Sequence, residues 1–267
     1  MTDKILVTSP RITPDSIILM KTAKSVSQET MRLPSFRPTD GLEGQRIAIY
    51  GESLFAIILS SALDHVVLEL SSDWLTTLPY QYRQREIILM TIAQARRYPI
   101  PRFIKNADGM KAFEPKVFSS GADLPSSEFY PDDYVVLVSD PVYWELEYRC
   151  FVLNRDIQTL SVYLRDGQLA KSNDDRWLHD AVEQAEAQTF CERLLQDTSV
   201  KIPRAVVIDI GKIKGKGWAV IEANPAYGSG IYGCDPLAVL QVVNQATLHT
   251  NDVQTSDEQW ITHYEVD

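Results

Sequence analysis

The stretch RAVVIDIGKIKGKGWAVIEANP, residues Arg204–Pro225, contains two apolar runs on either side of a centre rich in glycine and lysine. This pattern predicts two antiparallel strands joined by a tight turn. If Gly215–Lys216 is a two-residue turn of type II′, the register places Asp209 directly opposite Glu222. Asn224 lies two residues beyond Glu222 and therefore shares its face of the sheet. A three-residue turn would instead place the two acids on opposite faces.

The facing acids and the nearby amide form a candidate site for a hard cation. Two carboxylates at about 4 Å repel each other by about 4 kcal/mol at an effective dielectric near 20, and a divalent cation would reverse the sign. Ligand sets made only of oxygen suit Mg²⁺, which also binds substrate phosphates. The spacing of Asp209, Glu222 and Asn224 is equally compatible with an ordinary hairpin whose acids point to solvent, so the pattern leaves both interpretations open.

A second hairpin is predicted upstream, in WELEYRCFVLNRDIQTLSVYLR, residues Trp144–Arg165. If Asn154–Asp156 is a three-residue turn, Arg149 faces Ser161 and Glu145 faces Arg165. One face of the hairpin is then apolar, and the other is polar and carries Glu145, Glu147, Arg149, Ser161, Tyr163 and Arg165. The polar face is either an exposed surface, whose Glu145–Arg165 pair is worth about 0.2–1 kcal/mol, or the floor of a site with two arginines.

The first third of the chain alternates predicted strands with predicted helices. The strands are Ile5–Ser9, Arg46–Gly51 and Val66–Leu70. The helices are Asp15–Val26, with Asp15 as its N-cap, Ser53–Leu63 and Tyr82–Tyr98. This alternation is typical of a small parallel α/β sheet. The prolines of Tyr98–Pro101 interrupt it, because a residue before proline is disfavoured in a helix, and we predict a domain boundary there.

Beyond this boundary strands predominate, so the α/β region precedes an α+β region. Additional strands are predicted at Arg102–Lys105, Lys116–Ser119 and Tyr134–Ser139, with helices at Asp174–Leu195 and from Asp235-Pro236 to about Leu248. The last residues are acidic apart from an anchor of Trp260, Ile261 and Tyr264. We divide the chain into an N-terminal domain (1–98), a small subdomain (99–143), a larger subdomain with both hairpins (144–248) and an acidic tail (249–267).

Composition narrows the class of protein. The chain has 267 residues, with 26 Lys and Arg against 36 Asp and Glu, and a formal net charge of −10. Such a chain is not expected to bind a nucleic-acid backbone, because basic side chains dominate that binding. Three scattered cysteines indicate reduced thiols, and we find neither a signal-peptide pattern nor an apolar run that could span a membrane. We therefore expect a soluble cytoplasmic protein.

Several segments resemble motifs of the ATP-grasp superfamily, and of its compact RimK-like clade in particular. They are Glu222–Pro225 after the strand that carries Asp209, Lys105–Lys111, Val136–Val142, Glu147–Val152, Tyr163–Arg165 and Ala223–Asp235. The resemblance covers about Pro99–Leu248. It implies the ATP-grasp fold, in which two α+β subdomains grip ATP, preceded here by the small parallel α/β domain.

The resemblance also implies residues that contact the nucleotide. Lys105 would contact the α- and β-phosphates of ATP, and Lys111 would close over the β/γ end. Adenine would lie against a hinge that includes Ser139, Asp140 and Val142. Glu147 would contact the ribose or this hinge.

The remaining implied roles concern the metal and the reacting groups. Asp209, Glu222 and Asn224 would hold Mg²⁺ between the phosphates. Arg149 and Arg165 would face the transferred phosphoryl group, since phosphoryl transfer depends mostly on positioning and charge neutralisation. The acceptor would be contacted by Tyr227, Gly228 and Ser229.

These roles imply an ATP- and Mg²⁺-dependent carboxylate–amine ligase that works through an acyl phosphate, on an amino acid, peptide or protein substrate. Two alternatives remain open. One is a phosphotransferase with the same nucleotide site, and the other is a non-catalytic nucleotide-binding or interaction module. The products separate them, because a ligase yields an amide together with ADP and inorganic phosphate.

Overall fold

A small parallel sheet begins the fold. The computed structural model describes residues 3–107 and 113–261. Its first elements are β1 (Ile5–Thr8), α1 (Pro14–Ser25), β2 (Thr30–Arg32), β3 (Ile47–Tyr50), α2 (Ser53–Ala62) and β4 (His65–Val67). Strands β1, β2 and β3 are parallel and follow the order β2–β1–β3. The predicted parallel α/β front is therefore confirmed.

Helix α1 is capped by Thr13 rather than by the predicted Asp15. The Thr13 hydroxyl accepts a hydrogen bond from the Ser16 amide at 3.1 Å, and the Ser16 hydroxyl accepts one from the Thr13 amide at 3.1 Å. This reciprocal arrangement is a capping box. Pro14 opens the helix, where its missing N–H costs nothing. Asp15 follows in the first turn, where its charge is favourable beside the helix dipole.

The next elements form an antiparallel sheet, which we call the small sheet. They are α3 (Trp74–Thr77), α4 (Tyr80–Arg83), β5 (Ile87–Thr91), α5 (Ile92–Ala95), β6 (Arg102–Asn106), β7 (Lys116–Phe118) and β8 (Val135–Ser139). In the part of the chain that the structure describes, the small sheet has the order β5–β8–β6–β7. Since β5 precedes residue 99, this sheet crosses the predicted domain boundary.

The predicted long helix Tyr82–Tyr98 is wrong, because the segment contains a strand between two short helices. Helix α4 stops at Gln84, whose backbone is left-handed with φ 51°. Thr91 caps α5 by accepting a hydrogen bond from the Gln94 amide. Between them β5 pairs along its whole length with β8. A short apolar run fits both a buried strand and a helix, and here the distant partner strand decides between them.

Both predicted hairpins belong to one sheet, which we call the large sheet. Its elements are β9 (Trp144–Leu153), β10 (Asp156–Arg165), β11 (Gln168–Leu169), β12 (Ala205–Ile213) and β13 (Gly217–Asn224). Over the described residues the order is β11–β10–β9–β12–β13, so β9 of the first hairpin pairs with β12 of the second. This pairing brings the polar faces of the two hairpins together.

Helix α6 (Ala181–Gln196) covers one face of the large sheet. Its buried Phe190, Cys191 and Leu194 belong to the same apolar cluster as Tyr148 and Ile208 of the sheet. The helix begins later than the predicted Asp174, at Asp180, whose side chain caps the first turn. The face under α6 is thus an ordinary apolar core.

Helix α7 (Pro236–Ala246) returns the chain to the N-terminal sheet. Val239 and Val243 of α7 share one apolar cluster with Leu6 of β1 and with Phe151 and Val207 of the large sheet. The helix begins at an Asp-Pro pair as predicted, but it ends before Leu248, because β14 (Thr247–His249) pairs with β4. The N-terminal unit and the second face of the large sheet therefore share a core.

The end of the described chain packs against this assembly. Trp260 is buried beside Leu68 and Leu248, and Ile261 forms a bridge with Leu68. The predicted anchor is confirmed for Trp260 and Ile261, whereas Tyr264 lies outside the described residues. Among residues 3–107 and 113–261, no helix has both the length and the apolar character needed to cross a bilayer.

Candidate functional site

The turn between β12 and β13 is longer than predicted. Ile213 pairs with Gly217, so the turn contains the three residues Lys214–Lys216. Gly215 and Gly217 have φ angles of 76° and 100°, which glycine adopts without strain. By itself this turn would place the two predicted acids on opposite faces.

A β-bulge in β13 restores the pairing of the acids. Ile210 pairs with Val220, and the next pair is Asp209 with Glu222, so Ile221 is the extra residue. Asp209 and Glu222 therefore face each other as predicted. The prediction holds although its turn was wrong, because the bulge offsets the change of register that the turn introduces.

Asn224 lies against both acids. Its Nδ2 donates hydrogen bonds to Asp209 Oδ2 at 3.2 Å and to Glu222 Oε1 at 3.1 Å. Two carboxylates with an amide that presents its oxygen are a donor set that fits Mg²⁺. Within residues 3–107 and 113–261, no group of three His, Cys, Asp or Glu side chains is arranged to hold a metal, so the amide is needed to complete this set.

Arg149 of β9 forms a buried, bidentate ion pair with Asp209. Its Nε donates to Oδ1 at 2.9 Å and its Nη2 to Oδ2 at 2.7 Å, while Nη1 donates to the Gly230 carbonyl at 2.9 Å. Burial lowers the pKa of Arg149, but the Asp209 carboxylate outweighs burial and the net pKa is raised. The guanidinium is therefore charged and fixed in orientation, and these bonds use three of its five N–H groups.

Lys105 of β6 brings a second cation from the small sheet. Its Nζ lies 2.6 Å from Glu222 Oε2. Burial raises the pKa of the Glu222 carboxyl, but Lys105 and Asn224 more than offset this, so its pKa is lowered and it is ionised at neutral pH. The two sheets are thus linked by a charged contact across the space between them.

Five side chains therefore form one continuous set of contacts, which we call the charged cluster. Its members are Lys105, Glu222, Asn224, Asp209 and Arg149. Two cations balance two anions, so the acids are neutralised although they face each other. The cluster joins one strand of the small sheet to three adjacent strands of the large sheet.

Glu147 lies two residues before Arg149 on the same face of β9. Its Oε2 accepts a hydrogen bond from the Tyr163 hydroxyl at 2.6 Å. Burial raises the pKa of the Glu147 carboxyl, the Tyr163 bond lowers it, and the charges of Asp209 and Glu222 raise it further. Glu147 thus adds a carboxyl beside the charged cluster.

Sequence reasoning missed an aromatic pair beside Arg149. The rings of Tyr163 and Tyr232 are stacked, with centroids 4.8 Å apart, and the Arg149 guanidinium lies 4.7 Å from the Tyr232 centroid. Such cation–π contacts contribute about 0.5–2 kcal/mol. Tyr232 lies inside the Ala223–Asp235 motif, which carried a resemblance but no individual role, so only the motif itself could have pointed to it.

Arg165 lies on the opposite face of the large sheet from Arg149. A bulge at Tyr163 shifts the register between β10 and β9. The Arg165 guanidinium consequently donates to both oxygens of Glu183 in α6, at 2.9 and 2.7 Å. The predicted Glu145–Arg165 pair is wrong, and the structure does not bring Arg165 to the charged cluster.

The turn of this hairpin was also predicted with the wrong length. It contains two residues, Asn154–Arg155, rather than three. A register shift at Gln158 compensates, so Arg149 faces Ser161 as predicted. The first shift therefore preserves the position of Arg149, whereas the second one moves Arg165 away.

The residues predicted to hold adenine lie where the chain passes from the small to the large sheet. Ser139 ends β8, and Asp140 and Val142 lie in the connection to β9. The Asp140 amide donates to the Glu86 carbonyl at 3.1 Å, and the Glu86 amide donates to Asp140 Oδ2 at 3.1 Å. The connection is thus tied to the segment that enters β5. Lys111 lies outside the described residues.

Tyr227, Gly228 and Ser229 join the end of β13 to the N-terminal unit. Tyr227 is fully buried, and its hydroxyl donates a hydrogen bond to Glu69. The Ser229 carbonyl accepts one from the Tyr50 hydroxyl at 2.9 Å. Gly228 lies between them in a short 3₁₀ turn. The contacts of this segment hold two parts of the fold together.

Solved structures share this architecture. The RimK domain protein ATP-grasp from Sphaerobacter thermophilus is 11% identical over 90% of this chain and 98% of its own, with a TM-score of 0.52. D-alanine–D-alanine ligase from Bacillus anthracis is 13% identical over 92% and 97%, with a TM-score of 0.51. N5-carboxyaminoimidazole synthase from Aspergillus clavatus, solved with ADP and 5-aminoimidazole ribonucleotide, is 10% identical over 96% and 80%, at 0.54. The fold is thus the ATP-grasp fold.

The family follows from the sequence match. Residues 82–242 match the family model of an ATP-grasp domain, clade family 2. The match spans more than half of the chain, and the protein belongs to this ATP-grasp family. The matched range includes the whole charged cluster, and it begins before β5, which the structure also places in the small sheet. A comparison with curated proteins found no match.

Proposed function

We propose that the protein is an ADP-forming ligase that uses ATP and Mg²⁺ to join a carboxylate to an amine. The family supports ATP as the nucleotide. The name of the D-alanine–D-alanine ligase with the same fold supports an amino acid, peptide or protein substrate. The observation that carries the proposal is the charged cluster, where Lys105 and Arg149 meet the paired acids from two sheets.

Each member of the cluster has a role in this proposal. Lys105 contacts the phosphates of ATP, and the backbone of Ser139–Val142 holds adenine at the hinge. Asp209, Glu222 and Asn224 are the residues that hold Mg²⁺, which supplies charge neutralisation to the phosphates when bound. The nucleotide then lies between the small and large sheets, over the polar face of the large sheet.

The chemistry has two balanced steps. An oxygen of the substrate carboxylate attacks the γ-phosphorus, the bond to ADP breaks, and an acyl phosphate forms. The amine then attacks the acyl carbon, inorganic phosphate leaves, and the nitrogen releases a proton as the amide forms. The N–H groups of Arg149 that its protein partners do not use stabilise the charge that develops on the transferred group.

The test is ADP release against pools of amino acids and peptides, with analysis of the products. We expect ADP, phosphate and an amide in equal amounts. Glu222→Gln is expected to reduce ADP formation about 100-fold, because the residue faces the transferred charge. The matched control is Glu183→Gln, which alters the carboxylate of the Arg165 ion pair on the other face and leaves the rate unchanged.

Two outcomes would replace the proposal. Phosphate retained on the substrate, with ADP but without an amide, would make the protein a phosphotransferase. Nucleotide binding without any acceptor-dependent ADP, together with variants of Arg149 and Glu222 that keep the biological role, would make it a non-catalytic module.

A further inference from the structure

The bulge in β13 turns two consecutive carbonyl groups toward the same partner. In a regular strand, successive carbonyls point in opposite directions. Here the carbonyls of Val220 and Ile221 both accept hydrogen bonds from Arg85, whose Nη1 lies at 2.8 Å and Nη2 at 3.1 Å. Because β13 is the edge strand of the large sheet, these carbonyls are satisfied by a side chain.

Arg85 is held firmly in this position. It is 5% exposed, its Nη1 also donates to the Arg83 carbonyl at 2.9 Å, and its guanidinium lies 5.0 Å from the ring centroid of Trp144. Burial lowers the pKa of Arg85 to about 10, while the charge of Glu222 raises it. The guanidinium is therefore still charged at neutral pH, and hydrogen bonds to charged groups are about twice as strong as neutral ones.

We propose that Arg85 is a positioning residue that holds the β13 bulge and so keeps Glu222 opposite Asp209. If the ladder continued without a bulge beyond the Ile210–Val220 pair, Ile221 would face Asp209 and Glu222 would turn toward the α6 side. Two carbonyls on one guanidinium specify the bulged geometry, because a regular strand cannot present both. Arg85 thus acts on the charged cluster through the backbone.

The location of Arg85 adds a second consequence. It lies two residues after the end of α4 and directly before Glu86, whose amide is tied to Asp140 between the two sheets. The bulge that orients Glu222 is therefore attached to the segment that leads into the small sheet, which carries Lys105. The proposal rests on the proposed function only in assuming that the paired acids serve the nucleotide.

The test compares Arg85→Ala and Arg85→Lys with Arg155→Ala. Arg155 is a matched control, because its guanidinium also binds backbone carbonyls, those of Leu195, Asp197 and Val200, at 2.7, 2.8 and 3.0 Å. It lies in the β9–β10 turn, away from the charged cluster. A purely structural role for Arg85 predicts that both alanine variants behave alike.

The first readout is independent of activity. We expect Arg85→Ala to speed amide hydrogen exchange across Gly217–Asn224, and its crystal structure to show a shifted register. Arg155→Ala is expected to leave exchange in this segment as in the wild type. Arg85→Lys is expected to be intermediate, since one ammonium reaches both carbonyls less well. A retained bulge in Arg85→Ala, with Glu222 still opposite Asp209, would overturn the proposal.

The second readout is the binding of ATP in the presence of Mg²⁺, measured by calorimetry. We expect Arg85→Ala to weaken it about 10–100-fold, as is usual when a residue that orients a metal ligand is lost. Deleting Ile221 from the Arg85→Ala variant places Glu222 directly after Val220, so a regular ladder restores the pairing and we expect binding to recover. If the wild type forms no ADP with any substrate, the proposed function fails while the exchange data still decide this proposal.

Discussion

Two arginine–carboxylate pairs lie on opposite faces of the large sheet, and both are bidentate. The side chains of Arg149 and Asp209 are 9% and 1% exposed, whereas those of Arg165 and Glu183 are 37% and 24% exposed. Removing one partner of a buried pair costs about 3–5 kcal/mol, whereas an exposed pair contributes about 0–1 kcal/mol. The same chemical contact thus has different consequences on the two faces.

The surroundings of the pairs differ as much as their burial. The Arg149 pair continues through Asn224 and Glu222 to Lys105 of the small sheet. The Arg165 pair connects the large sheet to α6, over an apolar core. A bidentate arginine is therefore not sufficient to mark a functional site, and the meeting of two sheets is the informative feature.

The largest effect is expected from Arg149→Ala. ADP formation should fall by at least about 100-fold, because a preorganised cation facing the transferred phosphoryl group is lost. The free energy of unfolding, measured in urea, should fall by about 3–5 kcal/mol, since Asp209 remains buried without its partner.

A second variant separates these two effects. Adding Asp209→Asn to Arg149→Ala removes the buried charge, so stability should recover in part while ADP formation stays low. Recovery of ADP formation together with stability would mean that Arg149 serves folding alone, and the contrast between the two faces would fail.

An intermediate effect is expected from Lys105→Met. The KM for ATP should rise about tenfold or more, because a charged hydrogen bond to a phosphate is worth about 1.5–3 kcal/mol. The matched control is Lys212→Met, since Lys212 pairs with Glu186 at 2.9 Å elsewhere on the large sheet. An equal rise in KM for both variants would contradict a specific role for Lys105.

The smallest effect is expected from Arg165→Ala. Its pair with Glu183 is partly exposed, so unfolding should become easier by no more than about 1 kcal/mol. ADP formation should remain within about twofold of the wild type. A loss comparable to that of Arg149→Ala would show that Arg165 reaches the nucleotide after all, and would remove the distinction between the faces.

The fold and part of the site were predictable from particular residues. Helix α7 begins at its Asp-Pro pair, because a capping side chain and a proline at the first position are local signals. The strand β5 was missed, because Ile87–Thr91 becomes a strand only by pairing with β8. The ATP-grasp resemblance succeeded because it rests on an ordered set of motifs rather than on any single element.

The sequence by itself determined which side chains lie together along one strand. Glu147 with Arg149, and Glu222 with Asn224, share a face because side chains alternate with a period of two. Which face and which partner they meet was decided by the tertiary structure, through bulges at Gln158, Tyr163 and Ile221. A bulge changes the register by one residue, and it is stabilised by distant groups, such as a buried arginine, that local spacing does not reveal.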